Sequence, residues 1–160
     1  MRKHEEKINY NINIEEEISN EQMRQTIVSL YYKNKETGEL MPEGRIIDSK
    51  ELLGNPYKKL VELLIEQPKN DKLESAIPNE TKVNKAELKN DIVYLDLSKE
   101  FIEKHINGEK EETVTIYSIV NTLTELTEVN GVKILIDGEE DKAFKDNKIK
   151  FTEAFVKIDK

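Results

Sequence analysis

The chain has 160 residues, of which 25 are Lys or Arg and 33 are Asp or Glu, so its formal net charge is −8. This length suits one domain with its own core. The basic residues are scattered among acidic ones, which excludes a basic stripe for DNA or RNA. Cysteine is absent, which excludes a disulfide, a thiolate metal site and a cysteine nucleophile.

The N-terminal segment differs from the rest of the chain. Residues 1–22 are polar and rich in acidic side chains, which is typical of a tail or linker. The alternating stretch "INYNINI" at 8–14 favours a short edge strand as the alternative. No stretch is apolar enough for a membrane span, and residues 1–10 lack the core of a signal peptide. We predict a tail at 1–22 and a single domain at 23–160.

A β-hairpin is predicted next. The stretch "TIVSLYY" (26–32) is rich in β-branched and aromatic residues, and "LMPEGRIID" (40–48) resumes apolar content after a turn at Gly38. Pro42 and Gly44 favour an edge position or a bulge for the second strand, because proline cannot donate to a central ladder.

A helix follows, with start and stop signals. Asn55 is a favourable N-cap, and Pro56 suits the first helical position. The helix is expected to end near Gln67, because Pro68 disfavours helical geometry in the residue before it. The predicted buried face consists of Tyr57, Leu60, Val61 and Leu64.

A second hairpin is predicted from residues 81–88 and 91–98. Its second strand alternates, so that two sets of side chains face opposite sides. One set is Val93, Leu95 and Leu97, and the other is Ile92, Tyr94 and Asp96.

The run 113–124 carries no charge, in a chain where 36% of residues are charged. Its first half has the β-branched composition of a strand. Over a longer window, apolar residues fall on one stripe at about 100° per residue, which favours a helix. Glu111 and Glu112 would lie at its N-terminus, where the helix dipole favours acids, and Asn130–Gly131 would end it. The stripe consists of Ile116, Ile119, Val120, Leu123 and Leu126.

The remaining signals are strands. Residues 132–138, "VKILIDG", predict a buried strand, and 148–158 predict one more. The order is therefore β-β-α-β-β-α-β, with that last strand in addition. We predict an α+β fold in which two helices pack on one face of a small mixed β-sheet.

Four stretches match, in order, the pattern of a known family. They are "LVELLIEQP" (60–68), "LESAIP" (73–78), "VYLDLSKEF" (93–101) and "IVNTLTE" with "GVKILIDG" (119–138). Together they resemble a GerMN domain, the module of GerM-like sporulation and spore germination proteins. The sequence departs from the family at Gln67, where glycine is frequent, and in the C-terminal tail. The structural motif positions taken from the local signals and this resemblance are Asn55, Pro56, Pro68, Pro78, Asp96, Ser98 and Gly138.

The resemblance implies a cell-envelope module outside the cytoplasm of a spore-forming Gram-positive bacterium. It implies no enzymatic activity, and an architecture similar to the ring-building-motif modules of envelope-spanning complexes. The expected partner is an envelope or sporulation-complex protein, with self-association and peptidoglycan as alternatives. We expect attachment to a membrane only through a lipoprotein anchor or helix outside this chain, and no cofactor.

The acids after the last core strand are the first candidates for acid–base chemistry. They are Asp137, Glu139, Glu140 and Asp141, to which Asp96 and His105 can be added. A run of acids that begins with Asp-Gly, as 137–141 does, is more typical of a solvated turn. This stretch also lacks the ligand spacing of a calcium-binding loop. His105 is predicted at the surface, on a short helix that Ser98 caps, and no metal site is predicted. Asp96 is expected to accept backbone N–H bonds in the turn between strand and helix.

The side of the second helix opposite its apolar stripe is the candidate interaction surface. It consists of Val114, Tyr117, Ser118, Asn121 and Glu125. A weakly charged face with an aromatic residue is typical of the rim of a protein interface. The alternative is that a loop or the C-terminal tail covers it, with Asn121 bonding backbone groups there. We predict a non-enzymatic binding module, with a peptidoglycan-binding or peptidoglycan-processing protein that uses surface carboxylates as the alternative.

Overall fold

The computed structural model describes residues 24–158, and the tail predicted for 1–22 lies outside them. Within this part the predicted α+β class is confirmed, because helices pack against the strands of two sheets. No helix within 24–158 is long and apolar enough to cross a membrane.

The first sheet is antiparallel and has the order β2-β1-β3. Its strands are β1, Gln25–Asn34, β2, Leu40–Asp48, and β3, Leu73–Glu74. The predicted hairpin is confirmed, and β2 takes the edge position that Pro42 favours. A 3₁₀ helix, Ser49–Leu52, follows β2.

Helix α1, Pro56–Ile65, begins as predicted. The side chain of Asn55 accepts the N–H of Lys58 at 3.0 Å, which satisfies one of the free donors of the first turn. The helix ends at Ile65, shortly before Pro68. Its buried residues are Leu60, Val61, Leu63 and Leu64.

The second sheet is mixed and has the order β4-β5-β6-β7. Its strands are β4, Val83–Lys89, β5, Ile92–Leu97, β6, Gly131–Ile136, and β7, Phe155–Val156. Only the β5–β6 pair is parallel, so the chain crosses over between them through helices α2, Glu100–Glu103, and α3, Glu109–Leu123. The predicted alternation in β5 is confirmed, since the set that begins at Val93 is buried and the set that begins at Ile92 is half-buried.

Helix α3 occupies most of the uncharged run 113–124, so the helix rather than the strand is confirmed there. Four residues of the predicted stripe, Ile116, Ile119, Val120 and Leu123, are buried in the core, whereas Leu126 lies beyond the helix and is half-buried. Helix α1 contacts β1 and β4, and α3 contacts α1, β1, β6 and β7. The two helices therefore join the two sheets into one core.

The structure differs from the prediction of a single mixed sheet. Strand β3 pairs only with Lys33 and Asn34 of β1, and α3 bonds to the same edge of β1 farther along. Because a helix occupies that edge, the strands of the second sheet form a separate sheet. The predicted element order also lacked β3, the 3₁₀ helix and α2.

The C-terminal segment packs onto the second sheet, and its last strand is the short β7. Phe144 and Phe151 are buried beside Phe101, with ring centroids 5.5 Å and 6.1 Å from that ring. The buried ammonium of Lys133 in β6 donates to the carbonyls of Phe151 and Thr152, each at 2.7 Å. These bonds satisfy a charge that would otherwise be costly to bury, and they fasten the segment to the sheet.

Candidate functional site

Ser118 was predicted to lie on the candidate interaction surface of α3, but the structure places it inside the protein. Ser118 is buried, and its hydroxyl donates to the carbonyl of Tyr31 at 2.6 Å. One turn later, the hydroxyl of Thr122 accepts the N–H of Tyr31 at 3.0 Å. Tyr31 pairs with Pro42 of β2, which has no N–H, so the backbone groups of Tyr31 point away from β2 and towards the helix. The hydroxyls of α3 therefore take the place of a neighbouring strand.

Glu125 is exposed, just beyond the C-terminus of α3, and accepts the hydroxyl of Tyr31 at 3.0 Å. Burial of the Tyr31 hydroxyl, and next the carboxylate of Glu125, raise the pKa of Tyr31 above its ordinary value. The hydroxyl therefore stays protonated at neutral pH and remains a donor to Glu125. This bond links the side chains of β1 to the outer side of the helix.

Val114, Tyr117 and Asn121 lie on the outer side of α3, and each is half-buried. Tyr117 rests partly on the core. The side-chain amide of Asn121 has no hydrogen-bond partner within residues 24–158. The helix residue that pairs with the backbone of the segment packed on α3 is therefore Ser118, which bonds to Tyr31, and not Asn121. The candidate surface that remains is Val114, Tyr117, Asn121 and Glu125, which is called the α3 strip below.

A pocket of about 130 Å³ lies between the end of β1, the segment 75–78 and the α2–α3 junction. Its lining includes Lys33, Ser75, Pro78, Lys104, His105 and Glu111. The prediction that His105 lies at the surface is wrong, because 7% of the residue is exposed. The ring of Phe144 covers it, with centroids 4.6 Å apart. The carbonyl of Pro78 accepts the N–H of Thr81 at 3.0 Å in the turn before β4.

Both ring nitrogens of His105 are engaged. Nδ1 lies 2.6 Å from the carbonyl of Ile106, to which it donates, and Nε2 lies 2.5 Å from the hydroxyl of Thr115. Burial lowers the pKa of His105, which favours the neutral ring with Nε2 as acceptor. The hydroxyl of Thr115 also lies 2.6 Å from the carbonyl of Ala76 and 2.9 Å from the carbonyl of Glu111, so one proton has three acceptors within reach. The imidazole therefore has a structural role, and neither nitrogen is available to a metal or a substrate.

Ser98 and Asp96 act differently from the prediction. The N-cap of α2 is Lys99, with no side-chain hydrogen bond, so Ser98 does not cap this helix. The Ser98 hydroxyl accepts the N–H of Lys82 at 2.9 Å, which joins the start of β4 to the end of β5. Asp96 accepts a backbone N–H, but it comes from Gly138 at 2.9 Å. The reason is that β5 and β6 are parallel, so the turn after β6 meets the carboxyl end of β5.

The other acids, at 137–141, form an exposed turn after β6. Asp137 accepts the side-chain amide of Asn84 at 3.2 Å, and Glu139 forms an ion pair with Lys142 at 2.9 Å. Among the described residues, no three His, Cys, Asp or Glu side chains are grouped to hold a metal ion. The turn is therefore exposed to solvent and stabilised by a hydrogen bond and an ion pair.

Sequence reasoning missed a buried carboxyl group. Glu112, in the first turn of α3, is 1% exposed, and its Oε1 has no hydrogen-bond partner among the described residues. Burial, and next the side chain of Asp146, raise the pKa of Glu112 above its ordinary value. The signal that could have found it is spacing, because Glu112 lies one turn before Ile116 on the buried stripe.

The fold is similar to solved structures of sporulation proteins. The tandem GerMN domains of the sporulation protein GerM from Bacillus subtilis align with a TM-score of 0.69 and 22% identity, over 84% of this chain and 46% of that chain. The chain thus spans about half the length of that structure. The first GerMN domain of the same protein aligns with a TM-score of 0.68 and 20% identity, over 82% and 97% of the two chains. These likenesses establish the fold.

A proposed lipoprotein from Clostridium perfringens also aligns, with a TM-score of 0.57 and 26% identity, over 83% of this chain and 88% of that chain. Comparison with curated proteins finds no match. The family described as "Germane: Sporulation and spore germination" matches residues 29–142, which is most of the chain. This match confirms the predicted resemblance to a GerMN domain. The chain belongs to this family of sporulation and spore germination domains.

Proposed function

We propose that the chain is a non-enzymatic binding and assembly module of the cell envelope, which acts in sporulation or spore germination through protein–protein contacts. Membership of the family supports a role in sporulation or spore germination. The similar structure of a proposed lipoprotein supports a location outside the cytoplasm, with a lipid or membrane anchor in the natural protein. The expected partner is an envelope or sporulation-complex protein.

The α3 strip is the observation that carries this proposal. It places the aromatic ring of Tyr117 beside the amide of Asn121, which has no partner within residues 24–158. An aromatic ring offers apolar area and an unpaired amide offers directional bonds, a combination typical of interface residues. The hydroxyl bonds from Ser118 and Thr122 to β1 hold the helix in place, so little further ordering is needed on binding.

What supports a non-enzymatic role is how the candidate catalytic groups are used. Both ring nitrogens of His105 form hydrogen bonds inside the protein, and the carboxylate of Asp96 accepts the N–H of Gly138. The acids at 137–141 lie in an exposed turn, where Asp137 accepts the amide of Asn84 and Glu139 forms an ion pair with Lys142. None of these groups forms a nucleophile–base pair of the kind that covalent or hydrolytic catalysis requires.

The double variant Tyr117→Ala, Asn121→Arg tests the α3 strip. We expect sporulation or germination of the source bacterium to fail while the purified variant unfolds cooperatively, because both side chains are only half-buried. The matched control is Tyr94→Ala, Asn79→Arg, which changes the same residue types on the second sheet and in an exposed turn. Normal function in the first double variant, with impaired function in the control, would reject the strip as the binding surface.

The enzymatic alternative is tested on the purified protein with isolated peptidoglycan. We expect no release of soluble fragments. Reproducible cleavage that disappears in a single carboxylate variant, Asp96→Asn or Asp137→Asn, would show that the protein is an enzyme. The same sample, analysed by co-sedimentation, reports whether peptidoglycan is bound without being cleaved.

A further inference from the structure

The edge of β1 that faces away from β2 is paired with different elements along its length. Tyr31 lies opposite Pro42, which has no N–H, so the backbone N–H and C=O of Tyr31 point away from β2, as do those of every second residue of β1. Strand β3 pairs with this edge at Lys33. The hydroxyls of Ser118 and Thr122 in α3 bond to it at Tyr31. A strand and a helix therefore complete the second half of this edge.

Farther towards the start of β1, the same edge has no partner. The backbone groups of Ser29 and Ile27 point the same way as those of Tyr31, and no group within residues 24–158 bonds to them. Strand edges are normally protected from pairing by charged side chains, proline or a covering segment. Residues 25–29 have no charge and no proline, and three of the five are β-branched. The edge at Ser29 and Ile27, called the open edge below, is therefore suited to pairing with another extended segment.

A cavity of about 140 Å³ lies beside the open edge, between β1, α1 and the chain at the end of α3. Leu60, Thr122, Glu125 and Leu126 line it together with β1. An apolar cavity of about 150 Å³ can hold a benzene-sized group, so this cavity has room for one apolar side chain. A strand added at the open edge would direct every second side chain towards this side of the sheet.

The sequence contains a segment with the pattern that this edge requires, "INYNINI" at 8–14. It has no charge, no proline and no glycine. Its apolar residues alternate strictly with asparagines, which predicts a strand with one apolar and one polar side. The segment lies outside the described residues, and residues 15–24 connect it to the start of β1 at Gln25. A connection of this length reaches about 33 Å when extended, whereas neighbouring strands lie about 4.8 Å apart.

We propose that residues 8–14 form a strand that pairs with the open edge of β1 in the same molecule. The pairing is antiparallel, because a parallel arrangement needs a crossover of about a dozen residues or more, and residues 15–24 are too few. The backbone groups of Ser29 and Ile27 then gain partners, and the apolar side chains of the segment point towards the cavity. The asparagines lie on the same side of the sheet as Ile27, which is exposed to solvent.

The connection to β1 favours this segment over an extended segment of another molecule. A short flexible linker holds the two strands at an effective concentration in the millimolar range, so even weak pairing keeps the segment in place. An uncharged segment with high β-propensity would otherwise be available to pair with other chains. The open edge includes none of the residues of the α3 strip, so the pairing does not depend on the proposed binding of an envelope protein.

Amide hydrogen exchange of the full chain, measured by NMR, tests the pairing, because a hydrogen-bonded N–H exchanges slowly. We expect the N–H groups of Ile27 and Ser29 to be protected in the full chain. Asn11→Pro should speed their exchange by roughly tenfold or more, because it removes an N–H that faces β1. The matched control is Asn20→Pro, which makes the same change in the connection. The N–H of Tyr31, which is bonded to α3, should stay protected in both variants.

Ile12→Asp tests the direction of the side chains. It places a charge in the cavity beside Glu125, so it should also speed the exchange of the N–H groups of Ile27 and Ser29. Ile18→Asp makes the same change in the connection and should leave that exchange unchanged.

Four results would overturn the proposal. The first is free exchange of both N–H groups in the full chain. The second is protection that Asn11→Pro reduces no more than Asn20→Pro does, and the third is protection that Ile12→Asp leaves unchanged. The fourth is protection that grows with protein concentration, because the added strand would then come from a second molecule.

Discussion

Tyr31 donates its backbone N–H to the hydroxyl of Thr122 at 3.0 Å, so a helix side chain completes the hydrogen bonding of a strand. Ser118, one turn earlier, donates to the carbonyl of the same residue at 2.6 Å. This arrangement explains why positions 118 and 122 of the uncharged run carry hydroxyl groups. A charged side chain at either position would be buried against the strand without a counter-charge, whereas a hydroxyl is short and can both donate and accept.

The strand–helix bonds predict a loss of stability in Ser118→Ala and in Thr122→Val. Each variant leaves a backbone group of Tyr31 without its partner, so the free energy of unfolding should fall by about 1–3 kcal/mol. Urea denaturation measures this change. The control is Asn121→Ala, on the outer side of the same helix, which should change stability by less than about 0.5 kcal/mol. Equal effects from all three variants would show that helix propensity, and not the bonds to Tyr31, causes the loss.

Glu112→Gln should stabilise the protein at neutral pH. Burial and Asp146 raise the pKa of Glu112 in the fold, so the folded state holds a proton that the unfolded state loses above about pH 4.3. Stability therefore falls as pH rises from there through the folded pKa, and glutamine removes this loss. Each unit of upward pKa shift corresponds to about 1.4 kcal/mol.

Thermal unfolding of the Glu112→Gln variant from pH 4 to pH 8 measures whether its stability relative to the unmodified protein rises with pH. The advantage of the variant over the unmodified protein should grow with pH. Glu111→Gln, at the neighbouring half-buried position, is the matched control for the substitution itself. A Glu112→Gln variant that loses stability with rising pH as steeply as the unmodified protein would contradict the assignment.

His105 should titrate below its ordinary pKa. Burial favours the neutral ring in the fold, whereas the ring in the unfolded chain titrates near pH 6.5. The stability that the neutral ring contributes is therefore fully present above about pH 6.5, and it declines as pH falls through the folded pKa. NMR of the ring protons measures the midpoint, and His4→Gln identifies the second histidine. A midpoint at or above 6.5 would contradict the burial effect.

Asp96→Ala should lower the melting temperature. The carboxylate accepts the N–H of Gly138 at 2.9 Å, and it is half-buried, so we expect a loss of about 1 kcal/mol. Asp96→Asn keeps an acceptor oxygen and should lose less. Glu140→Ala, in the exposed turn nearby, is the control. An unchanged melting temperature in Asp96→Ala would show that this bond does not fasten β6 to β5.

The features predicted from the sequence depend on local chemistry. Asn55 and Pro56 begin α1 because a cap and a fixed backbone angle act within one turn. Pro42 favours an edge strand because it lacks a donor, wherever the strand lies. Residues 119–138 carry the family resemblance because they form the buried helix stripe and the core strand. These signals need no knowledge of distant neighbours.

The errors concern side chains whose environment depends on distant segments. His105 was placed at the surface because a short polar helix gives no sign that Phe144 covers it. Ser118 was placed on an outer surface because helical periodicity locates it opposite the stripe, without showing that β1 lies there. Glu112 was considered only as an acid at the N-terminal end of the helix dipole, and its burial was not predicted.

Local signals in the sequence were enough to predict the α+β class, the two hairpins and both long helices, because apolar periodicity, caps and turn residues act over a few residues. The family was predicted from the resemblance of four stretches. Tertiary structure alone decided that the strands form two sheets, that α3 completes the edge of β1, and which part of that edge is left open. The physical reason is that a backbone donor or acceptor must be paired when it is buried, and only the assembled fold determines which side chain comes near enough to pair it.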